Sequence, residues 1–319
     1  MISLNKTHES FLKSNKASDI LFAHDIPVGN LETLDSKTIQ VLEKALNEIN
    51  LTREEVLLLT MIEMNHVSIL MSVSNFLRKK YKGELISFSK NIFIPLTQLC
   101  RDQCSYCTFK YEPGEGDLFF SPEKVLEAAK KSTELGCTEM LFVSGDKPEL
   151  MYDVYKKELE KIGYSSTSDY MIGMSELCLE EGIFPHSNLG IAKIDELKRF
   201  KNSNPSMGLM LESISERLME PGEAHYRCPD KYPRARIKTI SDAGKLNIPW
   251  TSGILIGIGE NWEERVDSII ELKRINDEFG HIQEIIIQNF SPKPGIKMEG
   301  SPVPTDLDMI KTVAISKIL

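Results

Sequence analysis

The chain repeats one pattern from Asn91 onward, in which a short apolar run is followed by a polar loop and an amphipathic segment. The apolar runs are NIFIPL at 91–96, EMLFVSG at 139–145, IFPHSN at 183–188, SMGLMLES at 206–213, WTSGILIGIG at 250–259 and EIIIQNF at 284–290. Apolar strands separated by helix-length segments are typical of a parallel sheet with helices outside it. The repeat therefore predicts an α/β fold.

The amphipathic segments supply the helices of this pattern. We predict them at 121–135, 168–181, 194–200, 234–243, 262–279 and 305–318, the first with Ser121 as its N-cap. Six such β/α units are two fewer than the eight of a complete barrel. The sequence therefore predicts a partial (β/α)6 TIM-like barrel, whose active site lies at the C-terminal ends of the strands.

The residues before the barrel pattern are predicted to be helical. A helix-like stretch covers 36–50, and Thr52 and Glu55 form a capping box that predicts a helix from Glu54 to about Tyr81. We therefore divide the chain into an N-terminal helical extension, 1–84, and a barrel domain, 85–319.

The net charge and the hydropathy of the chain limit the classes of partner that it can bind. The chain has 38 Lys and Arg against 47 Asp and Glu, a net charge of −9, whereas nucleic-acid binders are usually basic. No stretch approaches the roughly 20 apolar residues that span a bilayer, and the N-terminus lacks the apolar run of a secretory signal. We therefore expect a cytoplasmic protein that binds neither nucleic acid nor membranes.

Three of the six cysteines lie close together, in the sequence CRDQCSYC directly after the first strand. Cys100, Cys104 and Cys107 form a CxxxCxxC motif, whose three thiolates could bind three irons of a 4Fe-4S cluster and leave the fourth open. The alternative is a zinc site completed by Cys137 or a histidine, but no second CxxC pair is present. We expect Cys137, Cys178 and Cys228 to bind no metal.

This motif, with Tyr106 just before its last cysteine and on the loop after strand one of a six-unit barrel, resembles the radical S-adenosylmethionine (SAM) superfamily. In that superfamily the open iron binds the amino and carboxylate groups of SAM. An electron from the cluster then cleaves SAM to a 5′-deoxyadenosyl radical. The resemblance implies a 4Fe-4S cluster and SAM as cofactors, and an electron donor as a partner.

The resemblance also implies which other residues contact SAM. These candidates are Tyr106, then Ser144, Gly145, Asp146 and Glu149 in SGDKPE, then Glu212, Arg236, and finally Ile256 and Gly257 in GILIGIGE. The SGDKPE segment would hold the amino group, Glu212 the ribose or amino group, Arg236 the carboxylate, and the last two the adenine. The alternatives are a tight turn at 144–149 and an exposed helix arginine at 236.

Polar residues at the ends of strands three and six are candidate substrate contacts. They are His186, Asn188, Gln288 and Asn289, for which turn capping is an equally good interpretation. His225 could carry a proton, although an ordinary loop histidine is favoured there.

Longer strings narrow the resemblance to one family. FIPLTQLCRDQCSYCTF, GIFPHSNLG, GLMLESISERL and GHIQEIIIQNFSPKPG are similar to the CofG family, the 7,8-didemethyl-8-hydroxy-5-deazariboflavin synthase subunit, over about 85–315. The resemblance implies a radical SAM carbon-nitrogen lyase that forms the deazaflavin chromophore of coenzyme F(420). Its substrate would be a hydroxybenzyl-ribityl-uracil adduct supplied by a CofH-type subunit, and it would release ammonia, L-methionine and 5′-deoxyadenosine.

Two other functions stay open at this point. One is a biotin-synthase-like or menaquinone-pathway radical SAM enzyme, and the other is a metal-binding protein without enzymatic activity. Members of the CofG family continue beyond the sixth helix. We therefore expect a chain that ends at Leu319 to bind cluster and SAM but to turn over poorly.

Overall fold

A computed structural model describes residues 33–319, and the part of the predicted extension before Thr33 lies outside them. The chain divides into two compact units. One contains the described residues up to Ile86 together with Asn261–Ile270 and Pro304–Leu319, and the other contains Ser87–Glu260 and Glu271–Val303. The division at residue 84 stays a prediction.

The second unit contains a parallel sheet. Its strands are β1 (Asn91–Thr97), β2 (Glu139–Ser144), β3 (Phe184–Asn188), β4 (Ser206–Gly208), β5 (Trp250–Ile256) and β6 (Ile282–Asn289). They pair in sequence order, each parallel to the next, and β5 is buried along its whole length. The predicted six-stranded parallel sheet is confirmed.

Strand β4 is shorter than the apolar run 206–213 predicts. Extended pairing ends at Gly208, and the chain returns to β5 only for a single bridge between Glu212 and Ile254. A regular strand could not continue to 213, because Glu212 has a φ of 64°, which an extended strand cannot contain. Its backbone is held there by two hydrogen bonds, from Glu212 N–H to Gly253 O and from Leu255 N–H to Glu212 O.

Ten α-helices lie within residues 33–319. They are α1 (Ser36–Leu46), α2 (Arg53–Thr60), α3 (Val67–Lys82), α4 (Pro122–Glu134), α5 (Asp153–Lys161), α6 (Thr167–Glu180), α7 (Ile194–Lys201), α8 (Pro233–Lys245), α9 (Trp262–Phe279) and α10 (Asp306–Ile318). The predicted cap of α4 is present, since the Ser121 side chain accepts a hydrogen bond from Lys124 N–H. Helix α5 was not predicted, because its sequence DVYKKELEK is mostly charged and carries few apolar residues.

The predicted helix from Glu54 to Tyr81 is broken in the structure. It forms α2, a 3-10 turn at Met64–His66 and α3, with a bend of 104°. The end of a helix leaves backbone carbonyl groups without hydrogen-bond donors. At this break Lys311 of α10 is the donor. Its Nζ donates to the carbonyl oxygens of Thr60 at 2.6 Å and Ile62 at 3.3 Å. The capping box of Thr52 and Glu55 at the start of α2 is confirmed.

Within residues 33–319 no single helix is long and apolar enough to cross a bilayer. The bent pair Arg53–Thr60 and Met64–Lys82 meets that requirement by length and composition only. Many of its apolar side chains, among them Val56, Leu59 and Leu70, are buried in a hydrophobic cluster with residues of α1, whereas Met64 and Met71 are exposed.

Candidate active site

One cavity of about 1350 Å³ runs along the inner face of the sheet. Residues of β1, β2, β3, β5 and β6, and of the segment that follows β4, all line it. A sheet that presents five strands to one cavity is curved around it, as in a partial barrel. The loops at the C-terminal ends of the strands, where such folds carry their active sites, contribute the cysteine motif.

Cys100, Cys104 and Cys107 all line this cavity and are half-buried. The backbone N–H of Asp146 donates to Cys100 Sγ at 3.1 Å, an arrangement that favours the thiolate form. Burial raises the pKa of the Cys100 thiol to about 12, so a bound cation is what would keep it ionised.

The remaining cysteines differ among themselves. Cys137 is half-buried and does not line the cavity, whereas Cys178 is buried, with its thiol 3.2 Å from the sulfur of Met140. Cys228 is buried beside the motif, and a hydrogen bond from its thiol lowers the pKa of Cys104. The sequence did not indicate this sulfur contact.

The donor set fits a 4Fe-4S cluster. The cysteines of such a cluster bind different irons, so three thiols around one cavity suit it without meeting at a single point. Among residues 33–319 no group of three His, Cys, Asp or Glu side chains is arranged to hold one metal ion.

Gly145 allows the end of β2 to approach the cysteine loop. Its N–H donates to Thr97 O at 2.9 Å. A Cβ at this position would lie 1.9 Å from Leu99 O and 2.7 Å from Cys100 Cβ, both far inside van der Waals contact. Only glycine fits here, which is a stronger requirement than an ordinary tight turn imposes.

Gly145→Ala is therefore expected to displace Cys100 and to lower the iron bound per chain. Anaerobic purification followed by iron and sulfide analysis measures this. Gly182→Ala is the control: its φ of 78° strains an alanine, but a Cβ there meets nothing within 4 Å and the position is not on the cysteine loop, so this variant should keep its iron. Full iron content in Gly145→Ala would contradict the role assigned to the glycine.

Asp146 is a buried carboxylate with one free oxygen. Its Oδ2 pairs with Arg101, but Oδ1 has no hydrogen-bond partner, although buried polar atoms nearly always have one. Burial raises the pKa of Asp146 to about 7, against the lowering effect of Arg101. Asp146 and Ser144 both line the cavity.

Glu149 has a different contact from the predicted one. It does not line the cavity, and its carboxylate accepts hydrogen bonds from the backbone N–H of Thr167 at 3.3 Å and from the Thr167 hydroxyl at 2.6 Å. Glu149 thus has a contact at the first turn of α6, and its predicted contact with SAM stays a prediction. It lies in the short 3-10 turn Pro148–Leu150 that follows β2.

Glu212 and Arg236 lie together at the cavity. Arg236 is only 3% exposed, which excludes the exposed helix arginine. Its Nη1 is 3.8 Å from Glu212 Oε1, and Lys231 Nζ donates to the same oxygen at 2.8 Å. Burial alone would raise the pKa of Glu212, but the charges of Lys231 and Arg236 outweigh it and lower the pKa.

Asp230 is the main partner of Arg236 and was not predicted. Arg236 donates through Nε to Asp230 O at 2.8 Å, through Nη2 to the Asp230 carboxylate, and through Nη1 to Met210 O. A guanidinium has five N–H groups, so one on each terminal nitrogen remains. The carboxylate of a ligand could use these two donors and the ammonium of Lys231.

The glycine-containing turn after β5 is held by a carboxylate. Glu260 accepts hydrogen bonds from the backbone N–H groups of Gly257 and Ile258, all at 2.9 Å, and Gly257 has a φ of 92°. Neither Ile256 nor Gly257 lines the cavity, whereas Leu255 does. The predicted adenine contact at Ile256 and Gly257 stays a prediction, and the Gly257 N–H is already used.

Tyr106 lines the cavity and pairs with His225. The Tyr106 hydroxyl is 3.0 Å from His225 Nε2, and the other ring nitrogen of His225 has no partner. His225 is 1% exposed, and burial lowers its pKa to about 3, so the ring is neutral. It is therefore a buried residue and not a solvent-facing loop histidine.

All four predicted substrate residues line the cavity: His186, Asn188, Gln288 and Asn289. Ser187, between the first two, faces the opposite side and bonds Asn204 at 2.7 Å. The same alternation brings Thr251 and Glu284 to the cavity wall, and the sequence analysis missed both. Alternation along β5 and β6 would have indicated them.

Comparison with known proteins gives consistent matches. The family model described as the radical SAM superfamily matches residues 94–272. The 7,8-didemethyl-8-hydroxy-5-deazariboflavin synthase of Methanopyrus kandleri is 47% identical over 237 residues, which cover 74% of this chain and 71% of that protein. The protein of the same name from Methanothermobacter thermautotrophicus is 51% identical over 73% of this chain and 70% of its own length.

Two solved structures share the fold. HydG, a maturase of the FeFe-hydrogenase, aligns with a TM-score of 0.72 at 18% identity, over 97% of this chain and 66% of HydG. Methylornithine synthase, PylB, aligns with a TM-score of 0.68 at 17% identity, over 87% of this chain and 76% of PylB. At such identities the likeness concerns the fold alone.

Proposed function

Because this chain belongs to the radical SAM superfamily and, within it, to the 7,8-didemethyl-8-hydroxy-5-deazariboflavin synthase family, we propose that its cavity is where the deazaflavin forms. The chain is a radical SAM lyase of coenzyme F(420) biosynthesis. Its cofactors are a 4Fe-4S cluster and SAM, and it acts on a small molecule with the help of an electron donor.

When bound, the cluster and SAM supply a carbon radical that can take a hydrogen atom from the substrate. The protein's contribution is to hold and orient these groups. We assign Cys100, Cys104 and Cys107 to the irons. Asp146 Oδ1 would receive the amino group of SAM, because it is the buried oxygen at the cavity without a partner.

The carboxylate of SAM would lie at the free N–H groups of Arg236 and the ammonium of Lys231. Glu212 stands between these two cations, and its strained backbone, with φ at 64°, is held by β5. Strained non-glycine residues cost about 1–3 kcal/mol and concentrate at functional sites, which supports a role for Glu212 at the cofactor.

The substrate is proposed to be the hydroxybenzyl-ribityl-uracil adduct. Such a molecule has a polyol and a uracil that need hydrogen bonds, and an aromatic ring that needs apolar contact. The cavity offers both, with His186, Asn188 and Gln288 on its wall beside Phe93 and Leu141. Enclosure by the curved sheet would shield a radical from water.

The adduct must come from a preceding condensation, and we propose a CofH-type subunit as its source. The electron donor would approach the cysteine loop, which is the half-buried edge of the site. We place the protein in the cytoplasm, in keeping with six free cysteines and the acidic composition.

The observation that carries the proposal is the cysteine motif in the wall of a cavity that also presents polar side chains, in a chain of this family. The test is anaerobic incubation with SAM, reductant and an adduct deuterated at the abstracted position. We expect that deuterium to appear in 5′-deoxyadenosine, with ammonia and deazaflavin formed in equal amounts and one SAM consumed per turnover. Deuterium found only in solvent, or SAM cleavage at the same rate with and without the adduct, would count against the proposed function.

A further inference from the structure

One histidine on the cavity wall has two ring nitrogens in different surroundings. His186 is 4% exposed, and its Nδ1 lies 2.7 Å from Ser206 Oγ and 3.5 Å from Glu139 Oε1. Within residues 33–319 no hydrogen bond reaches its Nε2. Of the four histidines in that range, His186 alone lines the cavity.

The surroundings of Nδ1 determine where the proton of the neutral ring is. Ser206 Oγ donates to Glu139 Oε1 at 3.4 Å, and a hydroxyl has only one proton. Ser206 Oγ must therefore accept from Nδ1–H. The Glu139 carboxylate can also only accept, so both neighbours favour the proton on Nδ1 and leave a lone pair on Nε2.

Glu139 is itself held in place. Ser89 Oγ donates to its second oxygen at 3.0 Å. The hydrogen bond with His186 lowers the pKa of Glu139, although burial opposes this. An ionised carboxylate beside Nδ1 can only accept a hydrogen bond, so it helps to hold the ring with Nδ1–H toward Glu139 and Ser206.

The space in front of Nε2 is kept open by a glycine. A Cβ on Gly208 would lie 3.0 Å from His186 Nε2 and 2.2 Å from Asn188 Oδ1. A side chain at 208 would therefore fill the place where these two polar groups meet. Asn188 is two residues beyond His186 on the same strand, so both face the cavity.

Building on the proposed function, we propose that His186 is the acid-base residue of the carbon-nitrogen cleavage, with Ser206 and Glu139 as its positioning residues. Nε2 takes a proton from a substrate carbon, and the electron pair of that C–H bond forms a C=C bond. The C–N bond breaks with its electron pair on nitrogen. The imidazolium then returns the proton to this nitrogen, which leaves as ammonia, and His186 is neutral again.

The test compares His186→Asn with the wild-type holoenzyme. An asparagine amide can keep the contact to Ser206 near the position of Nδ1, but it cannot accept a proton. We expect 5′-deoxyadenosine to form, while deazaflavin per 5′-deoxyadenosine falls about 100-fold or more, the usual effect of losing a general acid-base group. Iron content and SAM affinity should be unchanged, and added imidazole should restore part of the deazaflavin.

A second measurement does not depend on turnover. Nitrogen NMR of histidine-labelled holoenzyme, with His186→Asn to assign the signal, should show His186 protonated on Nδ1. Ser206→Ala should raise the fraction protonated on Nε2. A dominant Nε2–H form in the wild type would overturn the proposal.

The turnover outcomes separate the two claims. A wild-type chain that makes no deazaflavin from the adduct overturns the proposed function and this inference with it. A wild-type yield per 5′-deoxyadenosine in His186→Asn overturns the inference alone. Equal loss of 5′-deoxyadenosine and deazaflavin, restored by more adduct, would show that His186 only binds substrate, which also overturns it.

Discussion

Cys104→Ala is expected to abolish both the reduced-cluster signal and SAM cleavage, and Cys100→Ala and Cys107→Ala to do the same. Each thiolate would bind a different iron, so loss of any one leaves two protein ligands for a cluster that uses three. Electron paramagnetic resonance after anaerobic reduction, with iron and sulfide analysis, measures the result. We expect no detectable 5′-deoxyadenosine from any of the three variants.

Cys137→Ala is the matched control, because Cys137 is also half-buried but lies outside the cavity wall. It should keep full iron and activity. Cys228→Ala should also retain the cluster, since Cys228 contacts Cys104 through its thiol and does not line the cavity. Loss of iron in Cys137→Ala, with iron kept in Cys104→Ala, would refute the assignment of ligands.

Asp230→Ala is expected to lower the free energy of unfolding by about 3–5 kcal/mol. Arg236 is buried, and this substitution removes its carboxylate while leaving the guanidinium where it is. This loss of stability comes from leaving a buried charge without a partner. It is larger than the loss expected if both residues of the pair were replaced by apolar residues. Urea denaturation of the wild type and the variant measures the difference.

The pH dependence of this difference has a definite sign. Burial alone would raise the pKa of Asp230, but Arg236 and Lys231 outweigh it, so the pKa falls from 3.8 to about 2. The stabilisation from Asp230 is thus fully present above about pH 4 and is lost as the pH falls through 2. Asp195→Ala, which breaks an exposed pair with Lys198 in the first turn of α7, should lower stability by no more than about 1 kcal/mol at any of these pH values. An equal loss in both variants would contradict the role of burial.

The strands could be predicted because each is a short apolar run bounded by polar loops, and β5 is buried along its whole length. Helix α9 was predicted at 262–279, and the structure has Trp262–Phe279. The break between α2 and α3 could not be predicted, since the residue that satisfies it, Lys311, lies about 250 positions away in sequence.

In the candidate site, too, residues in a local motif could be predicted, whereas residues that depend on contacts between motifs could not. Residues within a local motif, such as Cys100, Cys104 and Gly145, could be found from spacing and from the position after a strand. Asp230 could not, because its importance comes from the contact that its carboxylate makes with Arg236 from the turn before α8, and from the buried cluster that they share. The contact of Glu149 with Thr167 could not be predicted either, because a motif gives the order of residues but not the direction of a side chain.

The contact between Lys311 and the bend after Thr60 has a consequence for synthesis on the ribosome. Helices α2 and α3 leave the ribosome early, but the donor that completes their hydrogen bonds is among the last described residues to be made. Domains that are continuous in sequence can fold while translation continues. The two hydrogen bonds at the bend can therefore form only after α10 has emerged, so this unit completes its hydrogen bonding late in synthesis.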